Sequence, residues 1–200
     1  MSAPADPRAG RVSPEVAADL PGITLWEVST TAALKRRPDP GVRDRLRELA
    51  SRVNGAVVIE ARQNEIVHAY RVCFRHVGIE PDEQPTPYEG ALLERLRSGG
   101  FPSTGVLADA LLLALLDTKV GVVAFDDAVL AGGLRVTQEA GTVVLADEAQ
   151  MVAPLFGPPI PAFAPSSATE AVRLAAVTPA GVPAIAAWEA LDRVAQLLAP

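Results

Sequence analysis

The chain has 200 residues, 49% of them hydrophobic and 21% charged, which supplies enough apolar material for one core and argues against disorder. Its formal net charge of -6 excludes a protein that coats nucleic acid by bulk attraction, so any nucleic-acid contact is local. A single cysteine excludes an intramolecular disulfide framework and a multi-cysteine zinc site, and it fits a reducing cytoplasm.

No apolar leader is readable in Met1 to Gly10, and residues 1–20 read as a flexible N-terminal tail. Residues 21–200 read as one α+β domain with a mixed β-sheet and packed helices. Ile23 to Val28 alternates as a strand, and Pro38 and Pro40 open a helix on which Val42, Leu46, Leu49 and Val53 form an apolar stripe. Charge is uneven: residues 1–75 hold 12 basic and 9 acidic side chains, whereas residues 76–200 hold 6 and 15. Most of the positive charge lies between Lys35 and Arg52. There Lys35, Arg36, Arg37, Arg43 and Arg47 are the candidate RNA contacts, and a solvated helix face is the plainer explanation of the same residues.

Gly55 to Ile59 reads as a buried strand, and Ile66, Ala69, Tyr70, Cys73, Phe74 and Val77 make the stripe of a second helix that Gly78 ends. On that helix His68, Cys73 and His76 diverge too far to share a metal ion. Thr86, Pro87 and Glu89 compose a capping box for a helix running to about Ser98. Ser103 or Thr104 is then expected to cap a helix that is apolar all round from Val106 to Leu116 except at Asp109. This run is about half a bilayer span, so no membrane segment is expected. Short strands follow at Val120 to Phe125, Leu134 to Thr137, Thr142 to Leu145, Met151 to Phe156 and Ala171 to Val177, with a surface loop at Gly157 to Pro165 and a closing helix at Ala184 to Leu198.

Phosphate-cradling glycine loops and the G-x-S-x-G nucleophile elbow do not occur, which removes the enzyme classes built on them. Asp109 stands out, because an ionised carboxylate on an apolar helix requires compensation. Two readings are open for it: a functional cavity, or local stabilisation by the positive end of its own helix. Asp126 and Asp127 read as the start of a turn.

Several segments taken in order resemble a known family: Ala69-Tyr70-Arg71, Phe74 to Pro81, Thr86 to Arg95, Leu107-Ala108-Asp109, Val123-Ala124-Phe125-Asp126, Gly132 to Val136 and Leu145 to Glu148. Together, over roughly Val67 to Leu198, they resemble the B3/B4 domain, the tRNA-editing domain of the phenylalanyl-tRNA synthetase β subunit, which also occurs free-standing. The resemblance implies a B3/B4-like α+β fold and a pocket for the 3′ end of a mischarged tRNA, whose ester it hydrolyses without metal or organic cofactor. By motif position it implies catalytic roles for Asp109 and Thr86, with Arg71, Arg75, Glu89 and Asp126 as substrate-binding candidates.

The chain departs from the family at three places: Val123 stands where the synthetase has a histidine, Leu112 where an asparagine is usual, and Gly157 to Pro161 lack a glutamate. Such losses fit a relative that keeps the fold and pocket but has changed its ligand or lost its chemistry. Three functions follow as expectations. The chain is a free-standing aminoacyl-tRNA deacylase, an inactive module that binds RNA or an amino-acid-like small molecule, or a structural partner protein.

Overall fold

A computed structural model describes residues 6–199. Strand β1 (Arg8–Ala9), β2 (Arg11–Val12) and helix α1 (Pro14–Asp19) open the described chain, followed by β3 (Thr24–Thr31). A helical group comes next: α2 (Pro40–Arg52), α3 (Gly55–Ala61), α4 (Glu65–His76), α5 (Pro87–Ser98) and α6 (Val106–Thr118). Strands β4 (Val123–Asp126), β5 (Arg135–Glu139), β6 (Thr142–Ala146), β7 (Met151–Pro154) and β8 (Ala171–Thr178) precede the last helix, α7 (Ala184–Leu198). The α+β class expected from the element pattern is the class observed, and among the described residues no helix is long and apolar enough to cross a membrane.

Two four-stranded sheets divide the strands, one ordered β1-β3-β8-β4 and the other β2-β5-β6-β7. The first is antiparallel throughout, with Glu27 opposite Ala175 and Phe125 opposite Arg173; the second is mixed, because β2 joins β5 in parallel. Val172, Leu174 and Ala176 pack on α6 and α7, while Ala175 and Val177 on the other face of β8 pack with Phe125 against Val136 and Leu145 of the second sheet. A third cluster joins Leu46 of α2, Val58 of α3, Leu92 of α5 and Leu113 of α6.

The sequence-based tail to residue 20 needs correction. Its first five residues lie outside the described residues, but Arg8 to Asp19 is structured, and Val16 of α1 is only 1% exposed within the cluster under the second sheet. The link between β1 and β2 passes so close to β3 that a Cβ on Gly10 would lie 2.5 Å from Leu25, so this crossing requires glycine. Two-residue strands have no periodicity of their own to read, and partners distant in sequence stabilise them.

The strand expected at Gly55 to Ile59 is helix α3. Asn54 caps it by accepting from the Val57 amide at 3.1 Å, and Val58 and Ala61, three apart, face the core while Ile59 is 69% exposed. The helix after the Gly99-Gly100 break starts from Gly105 rather than from a side-chain cap by Ser103 or Thr104.

Val16→Ala is expected to cost about 1–3 kcal/mol in urea unfolding, from lost methyl burial and an unfilled space. A tail would leave the unfolding midpoint unchanged.

Candidate functional site

A cavity of about 280 Å³ lies between α6, the start of α5 and the sheets. Leu111, Leu112 and Leu115 of α6, Val123 of β4 and Pro154, Phe156 and Gly157 after β7 are among the residues that wall it. Among its described lining residues none has an ionisable side chain. The volume is just below the range of typical ligand pockets, about 300 to 1,000 Å³, and suits a small ligand group. Leu112 of α6, Val123 of β4 and Gly157, the first residue of the Gly157 to Pro161 segment, are all among its lining residues.

Phe156 has a φ of 57°, in the left-handed region that a bulky side chain rarely adopts, at a cost of about 1–3 kcal/mol. Its ring is held by Phe74, stacked at 5.2 Å, and by Tyr70, edge-on at 5.3 Å. Tyr70 is anchored in turn by donating its hydroxyl to the Val177 carbonyl at 3.0 Å. A Cβ on Gly157 would come within 2.8 Å of Pro154, so the tight turn behind Phe156 requires a residue without a side chain. The sequence places Phe156 at the end of an expected strand, Met151 to Phe156, with no role of its own, but β7 ends at Pro154 and Phe156 lies in the turn beyond it.

Four of the expected site residues do come together, beside the cavity rather than on its wall. Arg71 and Glu89, 6% and 2% exposed, form an ion pair at 2.7 Å, and the Thr86 hydroxyl donates to the other Glu89 oxygen at 2.7 Å. Asp82 accepts from Arg71 at 2.8 Å, Arg62 approaches both carboxylates, and half-exposed Arg75 lies 3.6 Å from Glu80 and 4.0 Å from Asp82. The hydrogen bond from Arg71 and the charges around it hold the Asp82 carboxyl below its ordinary value. The capping box is therefore corrected: Glu89 does not reach back to a backbone amide but turns to Arg71, a stronger charged partner brought by α4. Pro87, next to Thr86, is the point where this network meets the cavity.

Asp109 is 1% exposed, and its surroundings are local. Ser103 donates its hydroxyl to it at 2.5 Å and Thr104 its amide at 3.2 Å, one oxygen each, so the carboxylate ties down the loop that enters α6. Asp126 accepts from the Ala128 amide at 3.1 Å and from the Thr169 hydroxyl at 2.6 Å, and serves as a turn residue. Neither lines the cavity. Cys73 is buried, which pushes its thiol up to about 11 and leaves it inert.

Asp147, within the Leu145 to Glu148 segment, is 1% exposed and bound by three backbone amides. Burial pushes its pKa upward, but the amides of Ala131, Ala149 and Gln150, at 2.8–2.9 Å, outweigh that and hold it below the ordinary value.

The basic residues separate. Lys35, Arg36 and Arg37 are exposed on the turn before α2, with Arg36 donating to the Leu197 carbonyl at the end of α7. Arg43 and Arg47 instead line a groove between α2 and the α5–α6 connection, together with Arg95 and Phe101, which sequence reasoning did not single out. Compared with known proteins, the chain matches no family profile and no curated sequence.

Arg71→Met is expected to cost about 3–5 kcal/mol, because it removes the buried guanidinium from Glu89 and leaves it only the longer contact to half-exposed Arg62 and the Thr86 hydroxyl. Arg75→Ala should cost under about 1 kcal/mol, as exposed pairs do; urea unfolding of the two variants tests the contrast. Asp147 has a folded pKa below its unfolded value near 3.9, so its stabilisation is complete above that value and disappears as pH falls through the folded pKa. The difference in melting temperature between the native chain and Asp147→Asn should therefore narrow as pH is lowered from about 6 to about 3.

Proposed function

We propose that the chain is a free-standing relative of the B3/B4 editing domain that binds an amino-acid-like ligand by its apolar side chain and does not hydrolyse it. The observation that carries this reading is the convergence of Leu112, Val123 and Gly157 on one small cavity. Leu112 and Val123, where the resemblance expects an asparagine and a histidine, and Gly157, which opens the segment that lacks the expected glutamate, all line it, and each is apolar or lacks a side chain. Such a wall favours an aliphatic or aromatic side chain by desolvation and has no group to activate a water.

The two residues to which the resemblance assigns chemistry are occupied elsewhere. Thr86 donates its hydroxyl to Glu89, and both Asp109 oxygens accept from the loop before α6. Each bond supports a helix start, which is a positioning role. The ligand's amino-acid part can arrive free or on the 3′ end of a tRNA; the cavity recognises the side chain in either case.

Thermal unfolding with phenylalanine amide, tyrosine amide and isoleucine amide tests the reading. At least one should raise the melting temperature in proportion to the logarithm of its concentration. Leu112→Trp, which fills the cavity with apolar bulk, should abolish the rise while itself melting cooperatively. Tyrosine-charged phenylalanine tRNA should lose its amino acid no faster with the protein than without it. Acceleration that disappears in Asp109→Ala would make the chain a deacylase instead, and absence of any ligand shift would exclude the binding reading.

A further inference from the structure

The groove that holds Arg43, Arg47 and Arg95 has a volume of about 460 Å³ and lies on a different part of the surface from the apolar cavity, with which it shares no lining residue. Its first wall is one face of α2. Arg43 and Arg47 are one turn apart, so their side chains stand next to each other, and Leu46 and Ala50 on the same face form a buried apolar floor. Arg95 crosses from α5, its Nε donating to the Ala50 carbonyl at 2.7 Å. That bond fixes the guanidinium against the groove and leaves its remaining N–H groups without a protein acceptor among the described residues. Phe101 contributes an aromatic surface, and Ser103 at the rim is held by its bond to Asp109.

Charge in the groove is unbalanced. Asp44 pairs with Arg47 at 2.7 Å, but among the described residues neither Arg43 nor Arg95 enters an ion pair. The other arginines of α2 differ: Arg45 and Arg52 both pair with Glu48. Arg43 and Arg95 therefore leave the groove with positive charge that an anion can balance. Their planar forks match phosphate oxygens, and the partly buried Phe101 ring, packed on the third core cluster, gives the groove an aromatic edge for a base.

We infer that this groove binds the phosphate of a nucleotide, either free or as part of a single-stranded RNA, with Phe101 against the base. The site is local, so it is compatible with a chain whose net charge is -6. It does not rest on the proposed cavity ligand.

Anisotropy of a labelled short single-stranded RNA, with unlabelled AMP as competitor, tests the inference on the full chain. Arg43→Gln removes an exposed side chain with no protein partner and should lower RNA affinity at least about fivefold, with the salt slope smaller by about 1. Arg95→Gln should do the same; if the loss of its bond to Ala50 prevents folding, Arg43→Gln alone decides. Arg97→Glu, on α5 but outside the groove, should stay within about twofold, and so should Leu112→Trp, which separates this site from the cavity. Competition by AMP identifies a mononucleotide site, and RNA binding without it identifies a strand groove. No binding of either at about 0.1 M salt, or an equal loss in Arg97→Glu and Arg43→Gln, overturns the inference.

Discussion

Strand β8 is apolar on both faces, and this determines where the other layers go. Val172, Leu174 and Ala176 require cover on one side, Ala175 and Val177 on the other, so helices α6 and α7 take the first and the second sheet takes the second. The charged exception, Arg173, is accommodated because its neighbour strand brings Glu27 to 3.0 Å and Ser29 to 2.6 Å. Helix α6 follows from the same constraint: packed against β8 on one side and the α2–α5 cluster on another, it is apolar nearly all round, and the leucines left over wall the cavity.

Polar groups inside the molecule are directed at chain geometry. Glu89 joins α4 to α5 through Arg71, Asp109 secures the entry to α6, and Asp147 gathers three amides of two turns. Each buried carboxylate is compensated by donors within its own neighbourhood, as low dielectric requires. The cavity is consequently left with apolar walls, and unpaired positive charge collects outside, in the groove of α2 and α5. Two concave surfaces of opposite character result, one an apolar cavity and the other a groove lined by arginines.

Much of this was legible from local pattern. The stripe of Tyr70, Cys73 and Phe74, the proline-opened α2 and the alternation of Ile23 to Val28 in β3 all place elements close to their observed bounds. Asp109 announces itself as a buried charge in need of partners, and the structure supplies them from the Ser103 hydroxyl and the Thr104 amide in the loop before α6. Val57-Val58-Ile59 misleads, because a short β-branched run carries no period that separates strand from helix, and Asn54 decides the matter by capping. The box of Thr86 and Glu89 marks the helix start correctly but not the bond, since the pattern contains no information about Arg71, which arrives from another helix.

By itself the sequence determined what depends on neighbours a few residues apart: the periodicity of most helices and strands, the α+β class, and the need of Asp109 for partners. Tertiary structure alone decided which distant residues face one another. Leu112, Val123 and Gly157 are leucine, valine and glycine, residue types with no chemical signature, and they line a common cavity only because packing leaves about 280 Å³ unfilled. Arg95 and Phe101 likewise gain significance only when α5 lies beside α2. Local hydrogen bonding and hydrophobic period are written along the chain, whereas a cavity or a groove is the space between elements, and no single segment encodes it.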